Sequence, residues 1–262
     1  MKIIVYIFTL LMPYIAVAQD TVVTEEKNEQ TPLYTKAMAD SLYATNNYLG
    51  AIEAYENIIE ETGANADIYY NLGNAYYKEE NIAKSILNYE RALLLDPSDS
   101  DIKFNLLLAK NKTIDKESEP YEIFFMQWIK NIINILPMTI WTIIAIVTFI
   151  ILMVSLSIFL FTSRIRIRRI CFILALITLF TTIFANLAAL HHYSALTNRT
   201  AAIIMHPSVT AKSTPDTSGT DLFIIHEGRK VTISDDTMKG WKEIELEDGT
   251  IGWIPANTIE KI

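Results

Sequence analysis

Hydrophobic positions change their period along this chain, and each change marks a different kind of structure. Over residues 32–119 apolar side chains recur every three or four positions, the period of amphipathic helices. Within 66–99 (ADIYYNLGNAYYKEENIAKSILNYERALLLDPSD), Leu72, Ala75 and Tyr76 share one face of a first helix, and Ile86, Tyr89 and Leu93 one face of a second. Gly73 removes a side chain where the two cross, Asn81 sits in the turn, and Asp96-Pro97 closes the unit because proline cannot continue a helix. Residues 138–162 and 170–190 are apolar all round; neither carries a charge, and each is long enough to cross a bilayer. After residue 200 the period becomes two. Short runs at 202–205, 208–211, 222–225, 230–234, 241–245, 250–254 and 258–262 predict strands, with turns at Gly228, Gly240 and Glu247-Asp248-Gly249. Leu222, Ile225, Val231, Ile233, Trp241, Ile244, Leu246, Ile251, Trp253 and Ile254 are the expected core of that segment.

The helical pattern repeats. Residues 32–65 align with 66–99 at an offset of 34: Ala51, Ile52 and Tyr55 stand for Ser85, Ile86 and Tyr89, and Asn47-Tyr48 for Asn81-Ile82. After Pro97, Asp101, Ile102, Asn105 and Leu106 repeat Asp67, Ile68, Asn71 and Leu72, before the pattern fades over 110–116 and meets Pro120. This predicts two repeats plus one closing helix over 32–119. The spacing Tyr69, Leu72, Gly73, Tyr76, Ser85, Tyr89, Ala92, Pro97 resembles the tetratricopeptide repeat (TPR), with Ser85 where that family usually has alanine. The resemblance implies a shallow groove for an extended peptide. Its lining would be Lys36, Asp40 and Tyr43 in the first repeat, Asp67, Tyr70, Asn74 and Tyr77 in the second, and Asp101, Phe104 and Asn111 in the last. Asn71 and Asn105 would bond the peptide backbone; Asn71 and Asn74 read equally well as scaffold residues. Of the basic set that clamps a terminal carboxylate in some members, Lys36 alone is present, one turn from acidic Asp40, so carboxylate recognition is not expected.

Residues 1–18 have the form of a secretory signal: Lys2, an apolar run over 3–12, Pro13, then Ala16-Val17-Ala18 as the cleavage pattern. The polar stretch 19–31 is a flexible lead-in. Over 121–136, Phe124, Phe125, Trp128, Ile129, Ile132, Ile135 and Leu136 fall opposite Gln127, Lys130, Asn131 and Asn134. Residues 120–137 therefore read as an amphipathic helix at a membrane interface, a partner-binding helix being the alternative. Four arginines and no acid lie in 163–169, between the two apolar spans. The positive-inside rule puts that loop in the cytoplasm and both flanking segments on the far side, in agreement with an exported N-terminus. The expectation is a two-pass inner-membrane protein with both soluble parts in the periplasm.

Charge and composition narrow the chemistry. The 262 residues carry a net charge of −8, which divides into +1 over 1–19, −10 over 20–119, +4 over 120–196 and −3 over 197–262. The soluble parts lack the basic footprint that nucleic acid needs. Cys171 is the single cysteine, so intrachain disulfides and thiolate clusters are ruled out, and it reads as a small apolar residue. His191, His192, His206 and His226 have no metal-ligand partners at motif spacing, and neither a nucleophile elbow nor a phosphate-cradling glycine loop occurs. Neither span holds the ionisable residue that pumps and channels use, although Thr178, Thr181, Thr182 and Asn186 can bond within a hairpin. The expectation is a non-enzyme without cofactor or metal.

The run HEGRKVTI followed by GWKEIELEDGTIGWIP resembles the bacterial SH3-like barrel, whose ligand groove is often bordered by positions matching Trp253 and Pro255; core and rim packing is the competing reading of Trp241 and Trp253. The fold class expected is thus a multidomain membrane protein: an α-helical TPR array, a transmembrane hairpin over 138–190, and a small all-β barrel over 197–262. The whole order of parts resembles the BatE proteins of the Bacteroidetes aerotolerance (Bat) operon, on YYNLGNAYYK, FFMQWIKNI, and SVTAKSTPDTSGTDLFIIHEGRKVTI through DGTIGWIP. That resemblance implies a cell-envelope scaffold acting beside membrane proteins with von Willebrand A-type domains, another TPR Bat protein and, indirectly, a cytoplasmic MoxR-type ATPase. A peptidoglycan-binding membrane anchor is the alternative.

Overall fold

The computed structural model describes residues 34–116 and 124–262. The signal expected over 1–18, the lead-in over 19–31 and the first residues of the amphipathic stretch lie outside the described residues. Ile135–Ala195 forms one compact unit, and the segments on either side of it belong to a second.

The second unit begins with five helices: α1 (Lys36–Ala44), α2 (Tyr48–Thr62), α3 (Ala66–Lys78), α4 (Ile82–Leu95) and α5 (Ser100–Asn111). Their starts are set by side chains. Thr35, Asn47, Asn65, Asn81 and Asp99 each accept a hydrogen bond from a backbone N–H of the first turn that follows, which satisfies donors the helix itself cannot. Asn46 and Glu80, equivalent positions of the two repeats, turn the chain through left-handed backbone. Ala39, Ala51, Ile52, Tyr55, Leu72, Ala75 and Tyr76 form the core between α1, α2 and α3. A β-carbon on Gly73 would lie 2.7 Å from the Tyr89 ring, and Ser85 Oγ donates to Gly73 O at 2.9 Å. The serine that departs from the family pattern adds a hydrogen bond at the closest helix crossing.

After α6 (Phe124–Ile133) and the first unit, seven strands follow: β1 (Ala201–Ile204), β2 (Ser208–Lys212), β3 (Asp221–His226), β4 (Lys230–Asp235), β5 (Trp241–Glu245), β6 (Ile251–Pro255) and β7 (Ile259–Lys261). They form one antiparallel sheet in the order β3-β2-β6-β5-β4-β1-β7. Gly228, Gly240 and Gly249 take the left-handed backbone their turns need. The sheet is not closed, which corrects the expected barrel: β3 and β7 are its two edges. The β7 edge is occupied by the helices instead. Arg91 of α4 donates to Glu260 Oε1 at 3.0 Å and to Lys261 O at 2.7 Å, and Ile262 is buried in the helical core.

The inner face of the sheet holds Ala202, Ile204, Val209, Ala211, Ile225, Val231, Ile233, Ile244 and Ile254. Leu222 and Ile251, expected there, are 50% and 48% exposed, and Trp241 and Trp253 are half-buried. Strand parity explains the correction. Gly252 and Ile254 of β6 face inward, so Ile251 and Trp253, one residue out of phase, face the other way. Leu222 is likewise out of phase with Phe223 and Ile225.

Helices and sheet share a core. Ile203 and Ile262 pack with Ile86, Leu87, Tyr89, Ala92, Ile102 and Leu106. Beside that cluster Glu90 is buried between Lys110 Nζ at 2.8 Å and Lys230 Nζ at 2.7 Å. Burial by itself would raise its pKa, but the two ammonium groups outweigh that and hold it at about 2. Asp115, beyond α5, accepts from the His226 backbone N–H at 2.7 Å, and its other oxygen lies 2.8 Å from His226 Nδ1.

The first unit contains α7 (Met138–Phe161) and α8 (Ile165–Thr197), both long and apolar enough to cross a membrane. Helix α8 starts before the arginines end, so Arg166, Arg168 and Arg169 lie in its first turns rather than in a loop. The buried positions Trp141, Ala145, Leu152 and Ser155 of α7, and Cys171, Thr178, Thr182, Ala185 and His192 of α8, follow a seven-residue spacing, with buried Ala188 beside it, the spacing of a seam between two packed helices. Thr148 Oγ1 and Thr182 Oγ1 share a 2.9 Å hydrogen bond across it, and Trp141 meets Phe184 edge-on at 5.6 Å.

Two stability outcomes follow from this packing. Gly73→Ala drives a methyl into the Tyr89 ring and lowers stability by about 1–3 kcal/mol, read by thermal unfolding of the full chain in detergent. A folded-state pKa below the ordinary 4.5 of Glu90 means a contribution present above that value and lost as pH falls from it toward 2. Glu90→Gln therefore costs about 3–5 kcal/mol at neutral pH and flattens the decline of stability between about pH 5 and 2.

Candidate functional site

The repeat pattern builds a polar network as well as a core. Tyr55 OH, from α2, donates to Asp40 Oδ1 of α1 at 2.6 Å, and Tyr89 OH, from α4, donates to Asn74 Oδ1 of α3 at 2.6 Å. Each acceptor also receives the next repeat's carboxamide: Asn71 Nδ2 donates to Asp40 Oδ1 at 3.2 Å, and Asn105 Nδ2 to Asn74 Oδ1 at 2.9 Å. Asp40 and Asn74, Tyr55 and Tyr89, and Asn71 and Asn105 are equivalent pairs at the repeat offset, so one three-residue device occurs twice. Leu108 takes the third acceptor position, on the closing helix, and the network stops there. Burial and the Asp40 bond raise the Tyr55 pKa, and burial raises that of Tyr89. Both hydroxyls stay neutral donors at ordinary pH.

Over this network runs a trough. One part, about 230 Å³, is lined by Asp40, Tyr43, Tyr55, Asn71 and Asn74. The next, about 190 Å³, is lined by Tyr43, Asn74, Tyr77, Lys78, Tyr89, Asn105 and Leu108. Tyr43 and Asn74 belong to both, so the two parts adjoin. Lys112 Nζ sits 4.1 Å over the Tyr77 ring, a cation–π contact that puts a positive charge beside the trough.

The structure thus brings Asn71, Asn74, Tyr77 and Asn105 into one lining. Asp40 and Tyr43, also expected there, join them, whereas Lys36, Asp67, Tyr70, Asp101, Phe104 and Asn111 do not line it. Lys36 is exposed and paired with Asp40 at 3.1 Å; Asp67 is exposed in the first turn of α3; Tyr70 accepts from Asn105 Nδ2 at 2.9 Å, with its ring 6.0 Å from that of Tyr89. Asn71 Nδ2 spends a hydrogen bond on Asp40, and Asn105 Nδ2 donates to both Tyr70 and Asn74, so both carboxamides also tie one helix to another. Sequence reading missed Tyr55 and Tyr89 as trough residues because both lie on second helices, on the face assigned to the core. The signal was there: a tyrosine at both equivalent positions has a hydroxyl that burial obliges to find a partner.

In the sheet, Trp253 and Pro255 lie two residues apart on one face of β6, both half-buried. Trp241 stands opposite Pro255, and Glu243 opposite Trp253. Among the described residues, no three of His, Cys, Asp and Glu gather where they could hold a metal ion.

Residues 66–99 match the tetratricopeptide repeat family. This is the α3–α4 hairpin with its closing turn, and such repeats mediate protein–protein interaction. No curated protein matches the chain. The trough therefore lies on a helical, TPR-like array whose central repeat is the matched one.

The repeated device predicts a measurable coupling. Asn74→Ala strands the Tyr89 hydroxyl and the Asn105 carboxamide and costs about 1–3 kcal/mol. In a double-mutant cycle with Asn105→Ala on the full chain, thermal unfolding returns an interaction energy of about 0.5–2 kcal/mol. Additive costs would mean that the two residues act separately.

Proposed function

We propose that this protein is a non-enzymatic, membrane-anchored scaffold whose TPR trough holds an extended segment of a neighbouring membrane protein. The observation that carries the reading is the trough lined by Tyr43, Asn71, Asn74, Tyr77 and Asn105. Its lining is mostly uncharged and hydrogen-bonding, Asp40 and Lys78 being its charged members, with walls from Tyr43 and Tyr77, which suits a peptide backbone and apolar side chains. The helices α7 and α8 act as a two-pass hairpin, with the arginines at its turn in the cytoplasm and the rest in the periplasm. The shared core of helices and sheet supports this topology, because Ile203 and Ile262 pack on α4 and α5 only if both flanking segments are on one side of the membrane. An even number of crossings meets that condition.

The sheet is an opened form of the bacterial SH3-like domain, its closure replaced by docking on the helices. The setting is that of the BatE-type proteins: a cell-envelope assembly with von Willebrand A-domain membrane proteins, a second TPR protein and, indirectly, a MoxR-type ATPase. An anchored trough meets its ligand at high local concentration, so modest intrinsic affinity suffices.

The reading is tested by photo-crosslinking in intact cells with benzoylphenylalanine at Tyr77 or Leu108, against Glu61 on an exposed helix end. The expected result is one discrete membrane-protein adduct from both trough positions and none from Glu61. Equal labelling from all three positions, or adducts to cell-wall glycan alone, would overturn it.

A further inference from the structure

At the turn between α7 and α8 lies a charge that the hairpin does not balance. Arg164, Arg166, Arg168 and Arg169 stand together there, and Ile135–Ala195 contains no Asp or Glu. Among the described residues none of the four forms an ion pair. Their counter-charge has to come from outside the hairpin.

The same turn carries a cleft of about 400 Å³, lined by Phe159 of α7 and by Ile165, Arg168, Arg169, Phe172 and Ile173 of α8, a size within the range of small-ligand sites. The α8 members follow the i, i+3, i+4, i+7, i+8 pattern of a single helix face. Arg164 and Arg166 are not in the lining. Phe159 and Phe172 bring their ring centroids to 5.8 Å. The Arg168 guanidinium carbon lies 4.9 Å from the centre of the Phe159 ring, a cation–π contact that holds it beside the cleft. Ile165, Phe172 and Ile173 are each more than half exposed.

Charge and apolar walls together select the occupant. Guanidinium groups without a carboxylate partner call for an anion with paired oxygens, and a phosphodiester meets their fork geometry. The apolar walls add nothing for a free phosphate but suit a hydrocarbon chain.

We propose that this cleft binds one anionic phospholipid, its phosphodiester on Arg168 and Arg169 and an acyl chain along Phe159, Ile165, Phe172 and Ile173. The proposal rests on the reading of α7 and α8 as a hairpin in the bilayer, where such a lipid is part of the solvent. Basic pockets on the cytoplasmic side of membrane helices recognise headgroups of this charge. Arginines that only mark the inner surface would act alike wherever they stood at the turn. A difference between the cleft pair and Arg164 with Arg166 separates the two cases.

The test is native mass spectrometry of the full chain in dodecyl maltoside, with equal amounts of dioleoylphosphatidylglycerol and dioleoylphosphatidylcholine. One phosphatidylglycerol per chain is expected, retained about tenfold more than phosphatidylcholine. Arg168→Gln with Arg169→Gln removes that preference, whereas Arg164→Gln with Arg166→Gln, of the same net charge, keeps it. The exposed-face variant Phe172→Ala retains about threefold less phosphatidylglycerol. Equal retention of the two lipids would overturn the proposal and leave the arginines to an acidic polypeptide. The same loss in both arginine pairs would overturn it in favour of diffuse surface charge. Displacement of the lipid by an equal concentration of sn-glycerol 3-phosphate would overturn it in favour of a free-phosphate site, and so would unchanged retention by Phe172→Ala. Carbonate extraction of cell membranes separates this proposal from the reading beneath it. A chain released by carbonate overturns both; one that stays with the membrane yet shows no lipid preference overturns this proposal alone.

Discussion

A buried carboxylate ties the larger unit together. Glu90 belongs to α4, Lys110 to α5, and Lys230 to a strand 140 residues further along the chain. Taking the Glu90 carboxylate out of water is expensive, and two half-buried ammonium groups around it offset that cost only when the geometry is kept. The interaction therefore works less as a source of net stability than as a condition on register: helices and sheet must dock in one arrangement or leave a charge stranded. The apolar neighbours Ile86, Ile102, Ile203 and Ile262 contribute the favourable burial that such docking needs. Arg91 on β7 and Asp115 on His226 fix the same interface at its margins.

That docking explains the open sheet. A strand edge left with unpaired backbone groups is an aggregation hazard, and proteins cover such edges. Here the β7 edge is short and taken up by α4, so closing the sheet on itself is neither needed nor compatible with burying Ile262 among the helices. The same contact sets Glu260 of β7 against Arg91 of α4. One packing decision thus sets the shape of the sheet and joins its last strand to the array.

On the inner face, the repeat offset turns a structural motif into a recognition surface. The pairs Tyr55–Asp40 and Tyr89–Asn74 lock second helices to first helices, and Asn71 and Asn105 lock each first helix to the one before it. These carboxamide bonds hold the helices of the trough together, while Tyr43, Tyr77 and Leu108 supply its walls. A preformed surface of this kind loses little conformational entropy when an extended chain lies along it. The array stops where Leu108 replaces the polar acceptor, since a closing helix without a second-helix tyrosine has no hydroxyl to satisfy.

Much of this was legible in the residues. Helix starts were readable from Asn47, Asn81 and Asp99, the helix crossing from Gly73, the strands from their alternation and the turns from Gly228, Gly240 and Gly249. Each is a local consequence of backbone sterics, capping or period, and a sequence states such consequences directly. Even the inner face of β6 was decidable, because Ile251 and Ile254 differ in parity and could not both point inward. What the sequence could not state was which partner a side chain finds across long separations. Nothing in the local pattern singles out Glu90, Lys110, Lys230 or Asn88, and the strands read as a separate barrel beyond two apolar spans. Only tertiary packing buried Glu90 between two lysines, left Asn88 Oδ1 without a donor and opened the sheet onto the helices. Those outcomes depend on how two distant surfaces meet, and no local propensity encodes that.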